Sequence, residues 1–472
     1  MSSIIPDELV TALNQSYGYI LLIKGKAGTG KTTLALEILK IIKNPLYIST
    51  RIIPKFLYKQ FPWIKEALAK ENIIDATAFD FNSPISFNDE QSFLKSLRLQ
   101  NLPDFMKILF SKMASMQKGT IVVDSWDAIV ALGETRWASS NTILANYLIE
   151  LVREKNFNLI LILETDQEDN LDYLVDGIIC LRKSLYENHL RVRNLIINKL
   201  RGVHIKQPSY LFTLNDGHFT TFAPTNLNQI VPPKQITLLE EKNSRFSSGI
   251  PDLDQLLGGG YRKGLVILHE VEPYLGLANV WFMMVPVIHF LRKERAVISV
   301  VPPGKNYTNE MQLLKGLVNN DKFFDQFFHY IELGDEATST PNIHRISPTS
   351  NIDFFNNIRK IGENIPYSPK NLPFLFVIST NHFPLFFDLK EIQRETSGII
   401  GTLKRIGQIY IFTAYSGDEY VETLKNYVDY HLKISQIDGK VVLSIKNPLR
   451  NLFAINFENS ESTSFVKLIP IV

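Results

Sequence analysis

The sequence predicts an α/β protein made of two tandem domains, each with a mostly parallel central sheet. Two observations indicate this fold. Short, continuous apolar runs alternate with longer amphipathic stretches along the 472 residues, and the same succession of runs recurs after an offset of 245 residues. Hydrophobic residues make up 45% of the chain, and at roughly 100–200 residues per domain its length also favours at least two domains.

Five apolar runs in the first half are predicted as strands buried on both faces of a parallel sheet, because they are short, continuous and rich in β-branched residues. They are Tyr19–Lys24, Pro45–Ser49, Thr120–Asp124, Leu159–Leu163 and Gly177–Leu181. Between them, Thr32–Ile42 and Thr142–Lys155 carry apolar residues at helical spacing and are predicted as amphipathic helices.

The second half repeats this plan. The offset aligns Ile5–Asp7 with Ile250–Asp252, and Tyr19–Ile23 with Gly264–Leu268, without a gap. The later pairs are Phe374–Ser379 with Ile121–Asp124, Ile409–Ala414 with Leu159–Leu163, and Val441–Lys446 with Leu195–Lys199. They require a small insertion, for which the polar stretch Thr338–Asn351 is the predicted loop. These matches favour a duplicated domain over the alternative, which is that two unrelated α/β domains have similarly spaced strands.

We therefore predict a first domain over residues 1–225, a linker over 226–245 and a second domain over 246–472. The linker prediction rests on the proline-containing stretch Pro224–Gln235, which has little apolar periodicity.

Charge and cysteine content exclude some classes of protein. The chain has 50 Lys and Arg residues against 48 Asp and Glu, so a non-specific nucleic-acid coat is disfavoured. The basic residues Arg182, Lys183, Arg191 and Arg193 are interpreted as a solvated edge rather than a DNA contact. A single cysteine, Cys180, permits no intrachain disulfide. The N-terminal residues show no signal-peptide pattern, and the most apolar run, Val280–Leu291, is too short to span a bilayer. We therefore expect a cytoplasmic protein without a membrane segment.

Residues Gly25–Thr32 (GKAGTGKT) form a phosphate-binding loop of the pattern G-x-x-x-x-G-K-[ST] between a predicted strand and a predicted helix. Its backbone N–H groups and Lys31 are suited to the phosphates of ATP, and the Thr32 hydroxyl is suited to Mg²⁺. The predicted nucleotide-binding residues are Gly25, Ala27, Gly28, Thr29, Gly30, Lys31, Thr32 and Thr33. Asp124 ends an apolar strand and is predicted as the second magnesium-site residue, although such a residue also serves as a helix N-cap.

Three stretches resemble one family. They are the P-loop together with Val122–Ser125, Lys199–Gly202 (KLRG), and Gly249–Gly260 (GIPDLDQLLGGG). In this order the chain resembles RecA-superfamily ATPases of the KaiC-like branch, and within it the archaeal proteins related to the gas-vesicle regulator GvpD. The stretch from Tyr47–Arg51 to Tyr58–Trp63 is similar to GvpD-type sequences.

The resemblance implies RecA-like domains and a role for Lys199 and Arg201. In KaiC-like hexamers the matching cations reach the nucleotide of the neighbouring protomer, where they neutralise charge on the transferring phosphoryl group. Hydrolysis would then need a homo-oligomer, with a hexamer as the family expectation and a dimer or monomer as alternatives. From the residues alone, both cations also fit solvated charges on an edge strand.

The sequence departs from the family where KaiC-like ATPases place a pair of glutamates. That position reads Ser49-Thr50-Arg51, with no carboxylate to activate water. We expect slow hydrolysis or none, with Glu164 and Asp127 as the nearest alternative acids.

The second half departs further. The offset replaces Gly30, Lys31 and Thr32 by Leu275, Gly276 and Leu277, and Glu270 and Glu272 enter the loop. After the small insertion, Ser379 stands at the position of Asp124. Carboxylates repel phosphates, so this half is predicted to be a pseudo-ATPase domain. A metal site at the two glutamates is a weaker alternative.

The sequence favours a nucleotide-dependent switch, with weak ATPase activity in the first domain, whose state a protein partner recognises. Two alternatives remain from the sequence. One is a recombinase paralogue that assists DNA repair, and the other is a non-hydrolysing scaffold with structural ATP.

Overall fold

The computed structural model describes residues 5–77, 104–133, 141–187, 189–231, 236–242, 244–301, 308–319, 321–334, 342–365, 372–381, 383–448, 450–458 and 464–472. The chain forms two compact units, one of residues 1–223 with 471–472 and the other of residues 224–470. The stretch expected to be a linker clusters with the second unit, whereas the last two residues return to the first.

The described helices of the first unit are α1 (Asp7–Leu13), α2 (Lys31–Ile41), α3 (Pro54–Gln60), α4 (Asp104–Ala114), α5 (Trp126–Gly133), α6 (Asn141–Glu154) and α7 (Leu171–Leu174). Its strands are β1 (Ile20–Lys24), β2 (Pro45–Ser49), β3 (Ile73–Asp75), β4 (Thr120–Asp124), β5 (Asn158–Leu163), β6 (Gly177–Tyr186), β7 (Leu190–Leu200), β8 (Ser209–Thr213) and β9 (Thr220–Thr221).

The described strands of the first unit form one sheet in the order β3-β2-β4-β5-β1-β6-β7-β8-β9. Pairing is parallel from β3 to β6 and antiparallel from β6 to β9. Strands β1, β2 and β5 are buried along their whole length, which explains their continuous apolar sequences. The parallel α/β fold predicted from these runs is confirmed.

The described helices of the second unit are α8 (Pro251–Leu256), α9 (Leu277–Arg292), α10 (Thr308–Val318), α11 (Asp321–Phe327), α12 (Asn351–Glu363), α13 (Phe383–Phe386), α14 (Leu389–Ile406) and α15 (Glu419–Leu424). Its strands are β10 (Val266–Val271), β11 (Val297–Val300), β12 (Phe328–Leu333), β13 (Ile343–Ile346), β14 (Leu375–Ser379), β15 (Ile409–Tyr415), β16 (Tyr430–Ile437), β17 (Lys440–Asn447), β18 (Asn451–Phe457) and β19 (Val466–Pro470).

The second sheet has the order β13-β12-β11-β14-β15-β10-β16-β17-β18-β19. Strands β11, β14, β15, β10, β16 and β17 therefore follow one another as β2, β4, β5, β1, β6 and β7 do in the first unit. The later strand pairs predicted from the repeat occupy matching positions in the two sheets. Two tandem units of the same architecture are thus confirmed, because similar spacing of strands along the sequence would not by itself give the two sheets the same strand order.

The predicted insertion loop Thr338–Asn351 is not entirely a loop. Residues 335–341 lie outside the described part, but Ile343–Ile346 form β13 at the edge of the second sheet, paired with β12. A four-residue strand among polar neighbours has too few apolar positions to show a period of two.

The Gly249–Gly260 stretch forms hydrogen bonds that hold together the chain at the start of the second unit. Asp254 accepts hydrogen bonds from the Ser247 and Ser248 hydroxyls, and its main-chain oxygen accepts from the N–H groups of Gly259 and Gly260. A Cβ at Gly260 would lie 2.6 Å from the Phe246 carbonyl oxygen, so the close approach needs glycine. This stretch therefore has a structural role here.

Among the described residues, no helix is both long and apolar enough to span a bilayer. The apolar run Val280–Leu291 lies inside α9, most of whose side chains are buried.

Candidate nucleotide site

The phosphate-binding loop joins the carboxyl end of β1 to α2, at the sheet edge where parallel α/β folds bind ligands. Gly25, Gly28 and Gly30 have φ values of 152°, 73° and 103°, which glycine adopts with least strain. A Cβ at Gly25 would lie 2.5 Å from the Leu181 carbonyl oxygen. No side chain of the described residues caps the start of α2 at Gly30, so its first N–H groups remain suited to an anion.

The Lys31 ammonium lies inside this loop and is only 5% exposed. It donates hydrogen bonds to the carbonyl oxygens of Gly25 at 2.6 Å and Lys26 at 3.0 Å, and to Glu164 Oε2 at 3.0 Å. The cation is thus positioned before any phosphate arrives, and Glu164 supplies its counter-charge.

The two predicted magnesium-site residues are in direct contact. Thr32 Oγ1 donates a hydrogen bond of 2.7 Å to Asp124 Oδ2. The Tyr47 hydroxyl donates to the same oxygen at 2.7 Å. Burial, together with the charge of Asp124, raises the pKa of Tyr47, so this phenol stays a donor. Asp124 therefore does not serve merely as a helix cap, and its carboxylate is aimed at the P-loop.

The residues that replace the family's glutamate pair support the strand ends. Thr50 Oγ1 donates to the Asp124 carbonyl oxygen at 2.8 Å and accepts from the Ser125 N–H at 2.8 Å. Ser49 Oγ donates to the Ile52 carbonyl oxygen. The Thr50 hydroxyl thus fixes the backbone at Asp124, and the Ser49 hydroxyl fixes the turn that follows β2.

Glu164 is the acid that the fold brings to the P-loop. Its carboxylate lies between two cations, Lys31 at 3.0 Å and Arg51 at 3.3 Å. Asp127, the other candidate acid, instead accepts the Glu164 main-chain N–H at 2.7 Å and fixes that residue's backbone. Of the two candidates, the structure therefore places Glu164 at the phosphate end of the site.

Lys199 and Arg201 lie on either side of Leu200, the last residue of β7. Lys199 pairs with Ile178, which is level with Leu22 in the middle of β1. Leu200 pairs with Gly177, which begins β6 at the amino end of the parallel strands. The Lys199 ammonium donates to the carbonyl oxygens of Asp172 and Val175, and Arg201 pairs with Asp176 at 3.6 Å. Within the described part of the chain, neither side chain contacts the P-loop, although Lys199 shares Asp172 with Lys24, which directly precedes that loop.

Arg193 is a site residue that the sequence interpretation missed. It was expected on a solvated edge, and its neighbours Arg182, Lys183 and Arg191 are indeed exposed. Arg193 itself is 7% exposed, and its guanidinium donates to the carbonyl oxygens of Gly28 at 2.9 Å and Val472 at 2.7 Å. That interpretation is wrong for Arg193, which holds the tip of the P-loop.

The matching loop of the second unit contains internal ion pairs where the first has its phosphate cradle. Glu270 Oε2 lies 2.7 Å from His431 Nε2, and Glu270 Oε1 lies 3.2 Å from Lys433 Nζ and accepts from the Ser416 hydroxyl at 2.7 Å. Burial alone would raise the pKa of Glu270, but the hydrogen bonds from His431 and Ser416 and the charge of Lys433 lower it to about 2. A permanent anion occupies this position.

His269 gives the second unit a pH-dependent stability. It is 1% exposed and packs against Phe282, and burial, followed by the charge of His431, lowers its pKa to about 3. The unfolded chain binds a proton below pH 6.5 and the folded chain does not, so this residue's contribution to stability is complete above pH 6.5 and is lost as pH falls towards 3.

We expect His269→Phe to reduce the fall in stability between pH 6.5 and pH 5 by roughly 1 kcal/mol per pH unit. Urea unfolding of both proteins at several pH values measures this difference. The exposed His189 offers a matched control, and His189→Phe should leave the slope unchanged. Equal slopes for His269→Phe and the parent chain would contradict the assignment.

The first site fits a magnesium nucleotide by its own chemistry. It combines a glycine loop of positive φ, a buried ammonium and a hydroxyl in contact with a carboxylate, and oxygen donors of this kind suit Mg²⁺. The second site has Leu275 buried at the position of Gly30 and Ser379 at that of Asp124.

Comparison with known proteins agrees with this geometry. The family model for the P-loop domain of the GvpD gas vesicle protein matches residues 10–198. Protein GvpD2 of Halobacterium salinarum is 30% identical over 337 residues, which cover 69% of this chain and 67% of that protein. Protein GvpD1 of the same organism is 29% identical over 336 residues, covering 69% and 61%.

The circadian clock oscillator protein KaiC of Picosynechococcus sp. is 27% identical over 274 residues, which cover 53% of this chain and 48% of that protein. The chain therefore spans about two thirds of the GvpD2 protein and about half of KaiC. Two P-loop-type units, an intact phosphate loop and these relatives agree, and the chain belongs to the GvpD family of P-loop ATPase-related proteins.

Proposed function

We propose that the first unit binds Mg·ATP and hydrolyses it slowly, in an assembly-dependent way, as a switch that a protein partner reads. The observation that carries the proposal is the contact of Thr32 Oγ1 with Asp124 Oδ2, next to a P-loop that already holds Lys31. Family membership supports nucleotide binding with a divalent metal in general.

Different residues of the first unit would bind the phosphates and the metal. The P-loop N–H groups and Lys31 would contact the phosphates, while Thr32 and Asp124 would hold the metal and its water. Bound Mg²⁺ supplies charge neutralisation on the phosphate oxygens. Because Lys31 is paired with Glu164, phosphate binding would draw Lys31 away and leave Glu164 with Arg51 as its partner.

Slow hydrolysis follows from the same arrangement. A carboxylate held by two cations is poorly placed to accept a proton from water, and no acid stands at residues 49–51. Glu164 becomes available only after Lys31 has turned to the phosphates. We propose it as the residue that orients and activates the attacking water.

Assembly would complete the site. Neither Lys199 nor Arg201 contacts the P-loop among the described residues, which supports a role towards a neighbouring protomer. The Arg201 side chain is 56% exposed and so can reach outward, whereas Lys199 would have to leave the carbonyls of Asp172 and Val175. Arg201 is therefore the better candidate for delivering charge in trans.

Mass in solution tests this function. We expect the chain to form a larger species with Mg·ATP than with Mg·ADP or no nucleotide, measured by analytical ultracentrifugation. Arg201→Ala should retain ATP binding but lose at least about tenfold in turnover at assembling concentrations, since a trans cation contributes strongly to transition-state stabilisation. Arg182→Ala removes an exposed arginine and is the matched control. One unchanged monomeric mass under all conditions would contradict assembly.

The non-hydrolysing scaffold is a second candidate, favoured by the double pairing of Glu164. It requires nucleotide that stays bound through purification and no phosphate release at any protein concentration. Phosphate release by the parent chain that Lys31→Ala abolishes would exclude the scaffold.

A further inference from the structure

The second unit contains a cavity of about 220 Å³ between α9 and the carboxyl ends of its parallel strands. Val271 ends β10, Ser299 and Val300 end β11, and Ser379 ends β14. This edge of a parallel sheet is where α/β folds bind ligands, and it is the edge that carries the P-loop in the first unit. The cavity is therefore in the expected position for a binding site.

Uncharged side chains surround this cavity among the described residues. The lining residues are Val271, Asn279, Val280, Met283, Met284, Val287, Ser299, Val300, Val301, Leu314, Phe328, Val377, Ser379, Asn381, Thr413, Ala414 and Tyr415. Most are aliphatic, aromatic or thioether groups, and the thioethers of Met283 and Met284 adapt to varied shapes. A few amides and hydroxyls are set among them, as in sites for small organic molecules.

Asn279 supplies a polar group that the fold does not use. Its Oδ1 is buried and has no hydrogen-bond partner among the described residues. An unpaired buried acceptor costs stability, and such a group is satisfied by a ligand or a trapped water. Asn279 lines the cavity, so a turn of its amide towards the cavity would let a bound donor complete the hydrogen bonding of Oδ1.

The lining of the cavity selects against an anion. Glu270 and Glu272 are adjacent to Val271 in sequence but do not line the cavity, and their carboxylates pair with Lys433. None of the described lining side chains carries a charge, so a phosphate or carboxylate would lose its hydration there without a compensating partner, whereas a neutral molecule would not.

We propose that this cavity is a binding site for a small, neutral, largely apolar molecule with one hydrogen-bond donor directed at Asn279. An apolar cavity of roughly 150 Å³ accommodates benzene, so about 220 Å³ accommodates a substituted ring of similar size. The degenerate unit has thus exchanged a triphosphate cradle for a neutral ligand pocket at the same sheet edge. The site does not depend on nucleotide chemistry in the first unit.

Three probes of one size test the proposal on the full-length chain. Phenol carries the donor, toluene lacks it and benzoate carries a charge, and ligand-observed NMR titration gives an affinity for each. We expect phenol to bind about three- to tenfold more tightly than toluene, and benzoate to bind most weakly. Asn279→Leu keeps the approximate shape without the acceptor, and should bring phenol to the affinity of toluene while leaving toluene unchanged.

A second variant tests location. Val280→Phe places a ring in the cavity and should abolish binding of phenol and toluene, with the melting temperature and ATP binding of the first unit as folding controls. If this variant fails to fold, Val377→Leu on the opposite wall replaces it as a smaller filling. Equal phenol affinity in the parent chain and Asn279→Leu, absence of binding by phenol and toluene, or binding that survives a folded cavity-filled variant would each overturn the proposal.

Discussion

Lys31→Ala is expected to weaken ATP binding by roughly 100-fold. The ammonium is the buried cation of the P-loop, and loss of a charge-assisted hydrogen bond costs about 3 kcal/mol at the upper end of such effects. Isothermal titration calorimetry with Mg·ATP on both proteins measures the change. Turnover, where present, should vanish with binding.

Lys43→Ala is the matched control for this variant. Lys43 is an exposed lysine just after the carboxyl end of α2, so its loss removes one lysine charge at the far end of the same helix without touching the loop. Its ATP affinity should equal that of the parent chain. Unchanged affinity in Lys31→Ala, or an equal loss in both variants, would refute the assignment of the site.

Glu164→Gln is expected to separate binding from turnover. A positioned acid or base contributes about 100- to 10,000-fold, so we expect phosphate release to fall at least about 100-fold. ATP affinity should stay the same or increase, because Lys31 loses the carboxylate partner that competes with phosphate. Single-turnover phosphate release and calorimetry on the same protein preparation measure the two quantities.

Glu168→Gln serves as the control, since Glu168 is an exposed carboxylate on the loop that follows β5. It should change neither quantity. A Glu164→Gln variant that retains full turnover would show that Glu164 only neutralises Lys31, and a variant that loses ATP affinity would contradict the competition between Glu164 and phosphate.

The central parallel strands of the first sheet could be predicted because burial on both faces gives them continuous apolar sequences. The strands Ile73–Asp75, Val297–Val300 and Phe328–Leu333 were not predicted. Pro45–Ser49 and Thr120–Asp124 were predicted to the residue, and α2 and α6 to within one residue at each end. The P-loop was predictable for a different reason, since its glycines are dictated by φ values that other residues adopt only with strain.

Contacts between distant parts of the chain could not be predicted. Tyr47 looks like one more apolar strand residue, yet its hydroxyl meets Asp124 because β2 and β4 are neighbours. Arg193 looks like one more surface cation, yet the sheet carries it to Gly28. The pairing of Arg51 with Glu164 likewise arises from strand order, which local patterns do not encode.

The two units share a strand order but differ at the loop that follows the first core strand. In the second unit, Glu270 with its partners lies at the end of that strand, and Gly276 and Leu277 stand at the positions of the P-loop cation and hydroxyl. The core depends on apolar burial and tolerates this exchange, whereas phosphate binding does not. The glutamates that suggested a metal site from sequence are instead bound by His431 and Lys433, and no cluster of metal-ligating side chains occurs among the described residues.

The most direct test is a structure determined with saturating Mg²⁺ and a non-hydrolysable ATP analogue. We predict one analogue per chain, with its terminal phosphates against Lys31 and its metal between Thr32 and Asp124. An analogue bound beside Glu272 and Leu275, with no ligand at Lys31, would contradict the division of the chain into one nucleotide-binding unit and one that has lost this chemistry.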